Sequence, residues 1–406
     1  MLTALEQGVK GGKWYSLIDK VYADAPLRAA FKDVAANGGA AGVDHVTIER
    51  FAEDLDANLQ HLSEELRTGK YRAQAIRRCW IPKPGSQEKR PLGIPTVRDR
   101  VVQTALRMAL EPIFEKDFAQ HSYGFRPGRG CKDALRRVDE LLKAGYVHVV
   151  DADLKSYFDT IPHDRLLAEV GRKVTDGRLL RLLEGFLEQR IMDDAGAWTP
   201  EEGTPQGAVV SPLLSNIYLD PLDQLMAGQG FAMVRYADDF VVLCRSPQEA
   251  NAALAAVQRW TAQAGLTLHP TKTRLVDARI TGFDFLGYRF EGGHRRPRGK
   301  SLKKFKDTIR TKTRRTAGHS LSVIIADINR TLRGWFEYFK HSHRATFPPL
   351  DGWMRRRLRN ILRKRLGRKG ITSGLDNLRW PNAYFAKQGL FSLREAHAQA
   401  RQSCGR

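Results

Sequence analysis

Two adjacent carboxylates, Asp238 and Asp239, are the strongest candidates for chemistry in this sequence. They interrupt the apolar stretch VRYADDFVVL (residues 234–243). Tyr, Val and Phe favour strands and Asp favours turns, so the stretch predicts a β-hairpin with both carboxylates at its tip. Like charges at this distance repel each other. A divalent cation such as Mg²⁺, which prefers hard oxygen ligands, would stabilise them. The alternative for this stretch alone is an exposed acidic turn.

A second acidic strand lies upstream, in the stretch YVHVVDADLKSYFD (residues 146–159). Side chains alternate along a strand, so Asp151 and Asp153 face the same side. An ordinary core strand would not tolerate that pair, whereas a metal site would. If this strand lies beside the hairpin in an antiparallel sheet, Asp153 and one or both hairpin carboxylates form a two-metal site for in-line phosphoryl transfer. One ion would lower the pKa of an attacking 3′-hydroxyl, and the other would neutralise the triphosphate and the leaving group.

Three other stretches have compositions suited to phosphates. Residues 80–95 predict two strands joined by a basic turn that could hold a triphosphate, and a solvated hairpin turn fits equally well. The loop SYGFRPGRG (residues 122–130) interleaves aromatics and arginines, which suits a sugar–phosphate backbone; a packed structural loop is the alternative. The glycines of GTPQG (residues 203–207) allow close backbone approach to a ligand or base.

The net charge of +22 is confined to one part of the chain. Residues 291–406 contain 29 of the 67 Lys and Arg residues and 7 of the 45 Asp and Glu residues, so the first 290 residues are neutral. Basic helices are predicted there, most clearly over residues 321–339, where apolar residues recur three or four apart. Such segregation indicates a polyanionic partner, and nucleic acid fits better than an anionic membrane surface.

Other features of the composition narrow the possible classes of protein. The chain of 406 residues is 42% apolar, which is ordinary for a folded protein of about two or three domains. No apolar run approaches the ~20 residues that span a bilayer, and the N-terminus lacks a signal-peptide core. The four cysteines form no CxxC pair, which argues against a disulfide framework or a zinc site. We therefore expect a cytoplasmic protein without membrane association.

Seven blocks occur in an order that resembles the reverse transcriptases encoded by bacterial group II introns. They are RPLGIP (90–95), SYGFRP (122–127), DLKSYFD (153–159), GTPQG (203–207), YADD (236–239), the segment around Lys272, and FLGY (285–288). The resemblance covers essentially the whole chain. LRGWFEYF (332–339) resembles the thumb, or maturase, region of that family, which binds intron RNA and promotes splicing.

The resemblance implies an α+β fold of the right-hand polymerase type, with fingers and a palm containing an antiparallel sheet, followed by an α-helical thumb/maturase bundle. Residues 1–75 would form the N-terminal extension and the start of the fingers, 76–290 the fingers and palm, 291–375 the basic thumb/maturase domain, and 376–406 a C-terminal basic tail. No Cys/His-rich endonuclease domain is present in the sequence, so we expect that this protein does not cut a second DNA strand itself.

The resemblance also assigns roles to single residues. Asp153, Leu154, Asp238 and Asp239 would hold two Mg²⁺ ions, with Mn²⁺ as an alternative. Lys272 would be a proton donor to the departing pyrophosphate. The nucleotide-binding candidates are Lys83 and Arg90 at the triphosphate, Phe158 against a ribose 2′-hydroxyl, and Gln206 near the nascent base pair. From composition and charge, not from the resemblance, the nucleic-acid-binding candidates are Arg126, Arg129, Lys303, Lys304, Arg333, Arg355, Arg356, Arg359 and Arg363. One departure is Ala208, where many members carry glycine.

The expected function is therefore RNA-directed DNA synthesis, combined with maturase activity in splicing and retrohoming. The expected partners are intron RNA, an RNA template, a DNA target or primer, and dNTPs, with a monomer bound to RNA favoured. One alternative keeps the polymerase but makes it a domesticated host enzyme in repair or phage defence. The other is a splicing factor with a vestigial polymerase, against which the three aspartates argue.

Overall fold

The computed structural model describes residues 12–82, 89–193, 196–316 and 318–404. The chain divides into two compact units, Met1–Asp277 and Ala278–Arg406, called here the first and second units. The helices of the first unit are α1 (Asp19–Tyr22), α2 (Asp24–Asn37), α3 (Ile48–Glu53), α4 (Leu55–Thr68), α5 (Val97–Glu115), α6 (Cys131–Lys143), α7 (His163–Gly171), α8 (Gly177–Leu187), α9 (Ser211–Gly228) and α10 (Pro247–Gln263).

The strands of the first unit form two four-stranded sheets. They are β1 (Ile76–Pro82), β2 (Lys89–Ile94), β3 (His148–Asp153), β4 (Ile191–Asp193), β5 (Gly196–Trp198), β6 (Ala232–Tyr236), β7 (Asp239–Cys244) and β8 (Arg274–Asp277). One sheet has the order β2-β1-β4-β5. The other, with the order β6-β7-β3-β8, is antiparallel throughout and carries the acidic segments.

The antiparallel sheet is anchored by apolar burial. Val150 and Ala152 of β3 and Phe240 and Val242 of β7 belong to the buried core, and α9 and α10 pack on the sheet. Helix α5 is buried on nearly all sides, as expected of a helix in the centre of a core. Each fully buried aliphatic or aromatic side chain contributes about 1.5–3 kcal/mol to folding, so the sheet offers a rigid platform for side chains at the ends of its strands.

The second unit is a small sheet followed by a helical bundle. Its strands β9 (Phe283–Phe285), β10 (Tyr288–Glu291) and β11 (His294–Pro297) form one antiparallel sheet. Its helices are α11 (Gly299–Lys312), α12 (Leu321–Phe339), α13 (Phe347–Arg365), α14 (Gly374–Arg379), α15 (Asn382–Lys387) and α16 (Leu393–Cys404). Helix α12 coincides with the apolar periodicity expected over residues 321–339.

Two boundaries differ from those expected from the sequence. The FLGY block belongs to the second unit, because β9 pairs with β10 and not with the palm sheet. The described part of the predicted tail, residues 376–404, contributes to the core of the bundle, where Phe385 and Leu393 are fully buried. The carboxylate of Asp351 accepts hydrogen bonds from the amides of Leu393 and Arg394 and fixes the start of α16.

Candidate active site

The hairpin of β6 and β7 brings the predicted carboxylates to one end of the sheet. Tyr236 pairs with Asp239, which leaves Ala237 and Asp238 as a two-residue turn. Strand β3 pairs with β7 so that Asp153 lies directly opposite Asp239. The predicted hairpin and the adjacency of the two acidic strands are therefore confirmed. Asp153 and Asp239 form a cross-strand pair, and Asp238 lies in the turn next to Asp239.

The turn is held in a conformation that its sequence does not favour. Ala237 has φ 58°, a left-handed backbone that costs a non-glycine residue roughly 1–2 kcal/mol. Gly124 packs against it so closely that a Cβ at position 124 would lie 2.2 Å from the Ala237 amide nitrogen. The amide of Tyr123 also donates to the carbonyl of Arg235 at 2.9 Å. The SYGFRP loop thus braces the hairpin, which favours the packed structural loop over a loop that contacts the sugar–phosphate backbone.

The electrostatics of the site favour a cation. Burial, followed by the charge of Asp153, raises the pKa of the Asp238 carboxyl. The Lys272 ammonium lies 2.7 Å from Asp153 Oδ2 and supplies one positive charge. Within the described part of the chain, no group of three or more His, Cys, Asp or Glu side chains is already arranged to enclose a metal ion. The donor set nevertheless fits Mg²⁺, because it consists of crowded carboxylates.

Two neighbours of the site have other roles. The Asp151 carboxylate accepts two hydrogen bonds from the Arg274 guanidinium of β8, at 2.9 and 3.0 Å. That ion pair explains how β3 tolerates a second acidic side chain on the face of Asp153. The side chain of Leu154 is buried in the core and has no ligating atom, so this residue could offer a metal ion only its main-chain carbonyl oxygen.

The nucleotide-binding candidates are partly brought together. Phe158 and Gln206 line one cavity of about 570 Å³, next to β1 and β2. Gly207, with φ 111°, packs so closely on β2 that a Cβ there would lie 2.3 Å from the Gly93 carbonyl oxygen. Gly207 therefore allows the GTPQG loop to pack closely against β2. Arg90 is exposed on β2, and Lys83 lies outside the described residues.

The structure separates the basic candidates into exposed and buried side chains. Lys303, Lys304, Arg333 and Arg356 are exposed, and Arg129 and Arg355 are half-buried. The half-buried Arg363 pairs with Asp376 at 2.7 Å.

Two of the basic candidates are buried and bound to protein. Arg126 binds the Glu115 carboxylate and the carbonyls of Ala119 and Ser122. Arg359 donates to the Trp380 carbonyl and to Asn382. Because protein acceptors bind their N–H groups, Arg126 and Arg359 are not part of the proposed nucleic-acid surface.

One feature of the site was missed in the sequence. Arg235 is fully buried inside β6, and its guanidinium binds the Asp223 carboxylate of α9. The signal was an arginine in the middle of an otherwise apolar strand, which is stable in a core only when paired. Its partner is 12 residues away on another element, and no local pattern identifies it.

Comparison with protein families decides the class. The model of the family "Reverse transcriptase (RNA-dependent DNA polymerase)" matches residues 81–290, just over half of the chain. The chain belongs to the reverse transcriptase family. The family match includes Asp153, Asp238, Asp239 and Lys272, and it confirms the expected class of enzyme, an RNA-directed DNA polymerase, together with the predicted α+β fold. A second model, "Group II intron, maturase-specific domain", matches residues 302–380.

Individual proteins that are similar to this reverse transcriptase support the same family assignment. Protein YkfC of Escherichia coli K12 is 36% identical over 287 residues, which cover 61% of this chain and 75% of YkfC. The group II intron-encoded protein LtrA of Lactococcus lactis subsp. cremoris is 36% identical over 199 residues, covering 48% of this chain and 33% of LtrA. A putative COX1/OXI3 intron 1 protein of Saccharomyces cerevisiae is 37% identical over 166 residues, covering 41% and 20%. The chain thus spans most of YkfC but a third or less of the other two.

Among the described helices of this reverse transcriptase, none is both long and apolar enough to cross a membrane.

Proposed function

We propose that this reverse transcriptase copies RNA into cDNA with Asp153, Asp238 and Asp239 as the ligands of two Mg²⁺ ions. The observation that carries the proposal is the register of β3 and β7, which sets Asp153 opposite Asp239 with Asp238 in the adjoining turn. When bound, the ions would lower the pKa of the primer 3′-hydroxyl and neutralise charge on the triphosphate. The protein's part is to hold three carboxylates at one end of a rigid sheet.

Lys272 is proposed to move a proton. Its ammonium now lies 2.7 Å from Asp153, a contact that a cation bound to that carboxylate would weaken. Bond formation between the primer 3′-oxygen and the α-phosphorus breaks the bond to pyrophosphate, which leaves with extra negative charge. The Lys272 ammonium would donate its proton to that leaving oxygen.

Phe158 is proposed to select the sugar, and Gln206, which lines the same cavity, is proposed to lie near the nascent base pair. Phe158 packs edge-on against the buried Tyr157 ring, with ring centroids 5.3 Å apart. The Tyr157 hydroxyl is itself fixed by a hydrogen bond to the Ser215 carbonyl. A wall supported in this way would exclude a ribose 2′-hydroxyl, so deoxynucleotides would be preferred. The exposed Arg90, with Lys83, is proposed to bind the triphosphate.

The second unit is proposed to bind intron RNA and to promote its splicing. The maturase-specific match covers residues 302–380, and the exposed side chains of Lys303, Lys304, Arg333 and Arg356 fall inside it. Phosphate neutralisation by such residues would supply sequence-independent affinity.

Primer extension on an RNA template with dNTPs and Mg²⁺ tests the proposal, with Asp238→Asn as the inactive control. We expect cDNA from the wild type alone and none without Mg²⁺. A parallel assay follows the splicing of a group II intron RNA, taken from the DNA that flanks the gene where it encodes one, with and without protein. RNA binding and splicing without any cDNA would favour a splicing factor. Synthesis by the wild type without effect on any intron would favour a domesticated host enzyme.

A further inference from the structure

A buried polar cluster lies directly behind the catalytic turn. Arg235 has no exposed surface, and Asp223 and Asn216 are 5% and 1% exposed. The Arg235 Nε atom donates to both oxygens of the Asp223 carboxylate, at 2.8 and 2.9 Å. Asn216 and Asp223 are seven residues apart on α9, two helical turns, and therefore share the face that packs on β6.

The same guanidinium reaches the turn itself. Arg235 Nη1 donates to the Ala237 carbonyl at 2.9 Å and to Asn216 Oδ1 at 3.0 Å. The Ala237 carbonyl belongs to the peptide that precedes Asp238. Arg235 therefore binds the peptide group whose rotation would swing Asp238 away from Asp153 and Asp239.

Asn216 extends the cluster to the SYGFRP loop. Its Nδ2 atom donates to the Gly124 carbonyl at 2.9 Å, and Gly124 is the residue packed against the Ala237 amide. Three separate segments, at 124, at 216–223 and at 235–237, thus meet around one guanidinium. A left-handed Ala237 is unfavourable alone, so the surrounding groups must hold it.

We propose that Arg235 is a positioning residue for the metal site, acting through the Ala237 carbonyl on the orientation of Asp238. This inference rests on the proposed function, since it requires Asp153, Asp238 and Asp239 to bind the ions. Arginine is needed because its planar fork binds a carboxylate along one edge and still presents another N–H to the turn. A lysine ammonium would retain the charge without that geometry.

The test separates positioning from stability with a double variant. Arg235→Met combined with Asp223→Leu removes both charges and leaves no unpaired ion in the core. Arg100→Met is the matched control, because Arg100 is also buried and donates to main-chain carbonyls, of Gly38 and Ala40, away from the turn. Two readouts are independent of activity: the rise in Tm on adding Mg²⁺, and Mn²⁺ binding followed by EPR.

We expect the double variant to need roughly tenfold or more Mg²⁺ for half-maximal primer extension and for half of its Tm rise. Its kcat should fall, its affinity for RNA should stay unchanged, and Arg100→Met should match the wild type in its Mg²⁺ requirement. Arg235→Lys should shift the Mg²⁺ requirement in the same direction. An unchanged requirement and unchanged Mn²⁺ affinity in a folded double variant would overturn the inference.

The inference can also be tested if the double variant does not fold or if the wild type binds no metal. If the double variant does not fold, Arg235→Lys and Asn216→Ala replace it, and a wild-type metal requirement in both overturns the inference. If the wild type itself binds no Mn²⁺ and makes no Mg²⁺-dependent cDNA, the proposed metal site fails and the inference fails with it. If the wild type binds Mn²⁺ and makes Mg²⁺-dependent cDNA, and the variants behave like Arg100→Met, the metal site stands and only the positioning role of Arg235 is excluded.

Discussion

At the scale of single residues, the three aspartates show a conflict between stability and chemistry. Asp238 is placed where burial and the charge of Asp153 raise the pKa of its carboxyl. A raised pKa in the folded state means that the charged form destabilises the fold at pH values above it, and that protonation relieves the cost as pH falls. The protein retains this cost, as expected of a group whose charge is used in function.

Asp238→Asn should therefore abolish cDNA synthesis and stabilise the metal-free protein. At pH 7 in EDTA we expect a gain in the Tm of the transition that involves the first unit, because the neutral amide does not carry the cost of a buried charge. The gain should shrink as the pH falls and the wild-type carboxyl becomes protonated. Thermal melts at pH 7 and pH 4.5, with and without Mg²⁺, measure both effects. RNA binding should be largely unchanged, and its loss would contradict the separation of catalysis from RNA binding.

Phe158→Ala should admit ribonucleotides. Removing the ring opens the space in which a 2′-hydroxyl would lie, so the ratio of kcat/KM for dNTP over rNTP should fall by about tenfold or more, with dNTP use reduced much less. Steady-state incorporation of dGTP and GTP on one template gives this ratio. Tyr157→Phe is the comparison variant: it removes only the supporting hydrogen bond to Ser215 and keeps both rings, so it should change the ratio much less. An unaltered ratio in Phe158→Ala would remove the assignment.

At the scale of elements, the hairpin that carries Asp238 and Asp239 depends on a loop more than 100 residues upstream. The loop at 121–124 pairs with β6, through Tyr123 to the Arg235 carbonyl and through the Arg235 amide to the His121 carbonyl. Arg126 holds the same loop from the other side through Glu115. The geometry of Asp238 is therefore set jointly by a hairpin, a loop and helix α9.

Gly124→Ala should displace the turn. A methyl group at this position would lie 2.2 Å from the Ala237 amide nitrogen, and neither main chain can move without disturbing β6. We expect primer extension to fall by about 100-fold, since small misplacements of catalytic groups have effects of that size. Gly130→Ala is the control, because its Cβ would meet nothing closer than 4.0 Å. Equal activity of the two variants in primer extension would show that the loop does not brace the hairpin.

At the scale of the whole molecule, charge is divided along the chain. Residues 291–406 carry the entire net charge of +22, whereas the segment that holds the aspartates is balanced. Balanced charge in the first unit limits non-specific attraction near the proposed metal site, and the excess in the second unit favours polyanions. This division is consistent with one unit for synthesis and one for RNA binding.

Neutralising exposed residues of the second unit should flatten the salt dependence of RNA binding. For Lys303→Gln, Lys304→Gln and Arg356→Gln combined, the slope of log K against log salt concentration should fall by about 0.7–0.9 for each phosphate that is no longer neutralised. Filter binding between 50 and 300 mM KCl measures the slope. Arg359→Gln is the control: it is buried, so it should lower Tm and leave the slope unchanged. A combined variant with the wild-type slope would exclude these three side chains from phosphate binding.

Some of this protein could be determined from its sequence alone. The hairpin with Asp238 and Asp239, the acidic strand with Asp153 and helix α12 follow from patterns within about 20 residues, and the segregation of charge follows from the composition of residues 291–406. Such patterns are reliable because alternation, helical periodicity and turn preference are short-range properties of the backbone.

Only the tertiary structure decided which polar side chains are buried and what they bind. Arg126, Arg235 and Arg359 have the same residue type as exposed Arg356, yet each is buried and paired. The SYGFRP loop, suited by composition to nucleic acid, instead packs on the turn that carries Asp238. A buried charge is stable only where distant segments supply its partners, as Asn216 and Asp223 of α9 do for Arg235. Such pairing depends on how elements pack together, and no local pattern in the chain encodes it.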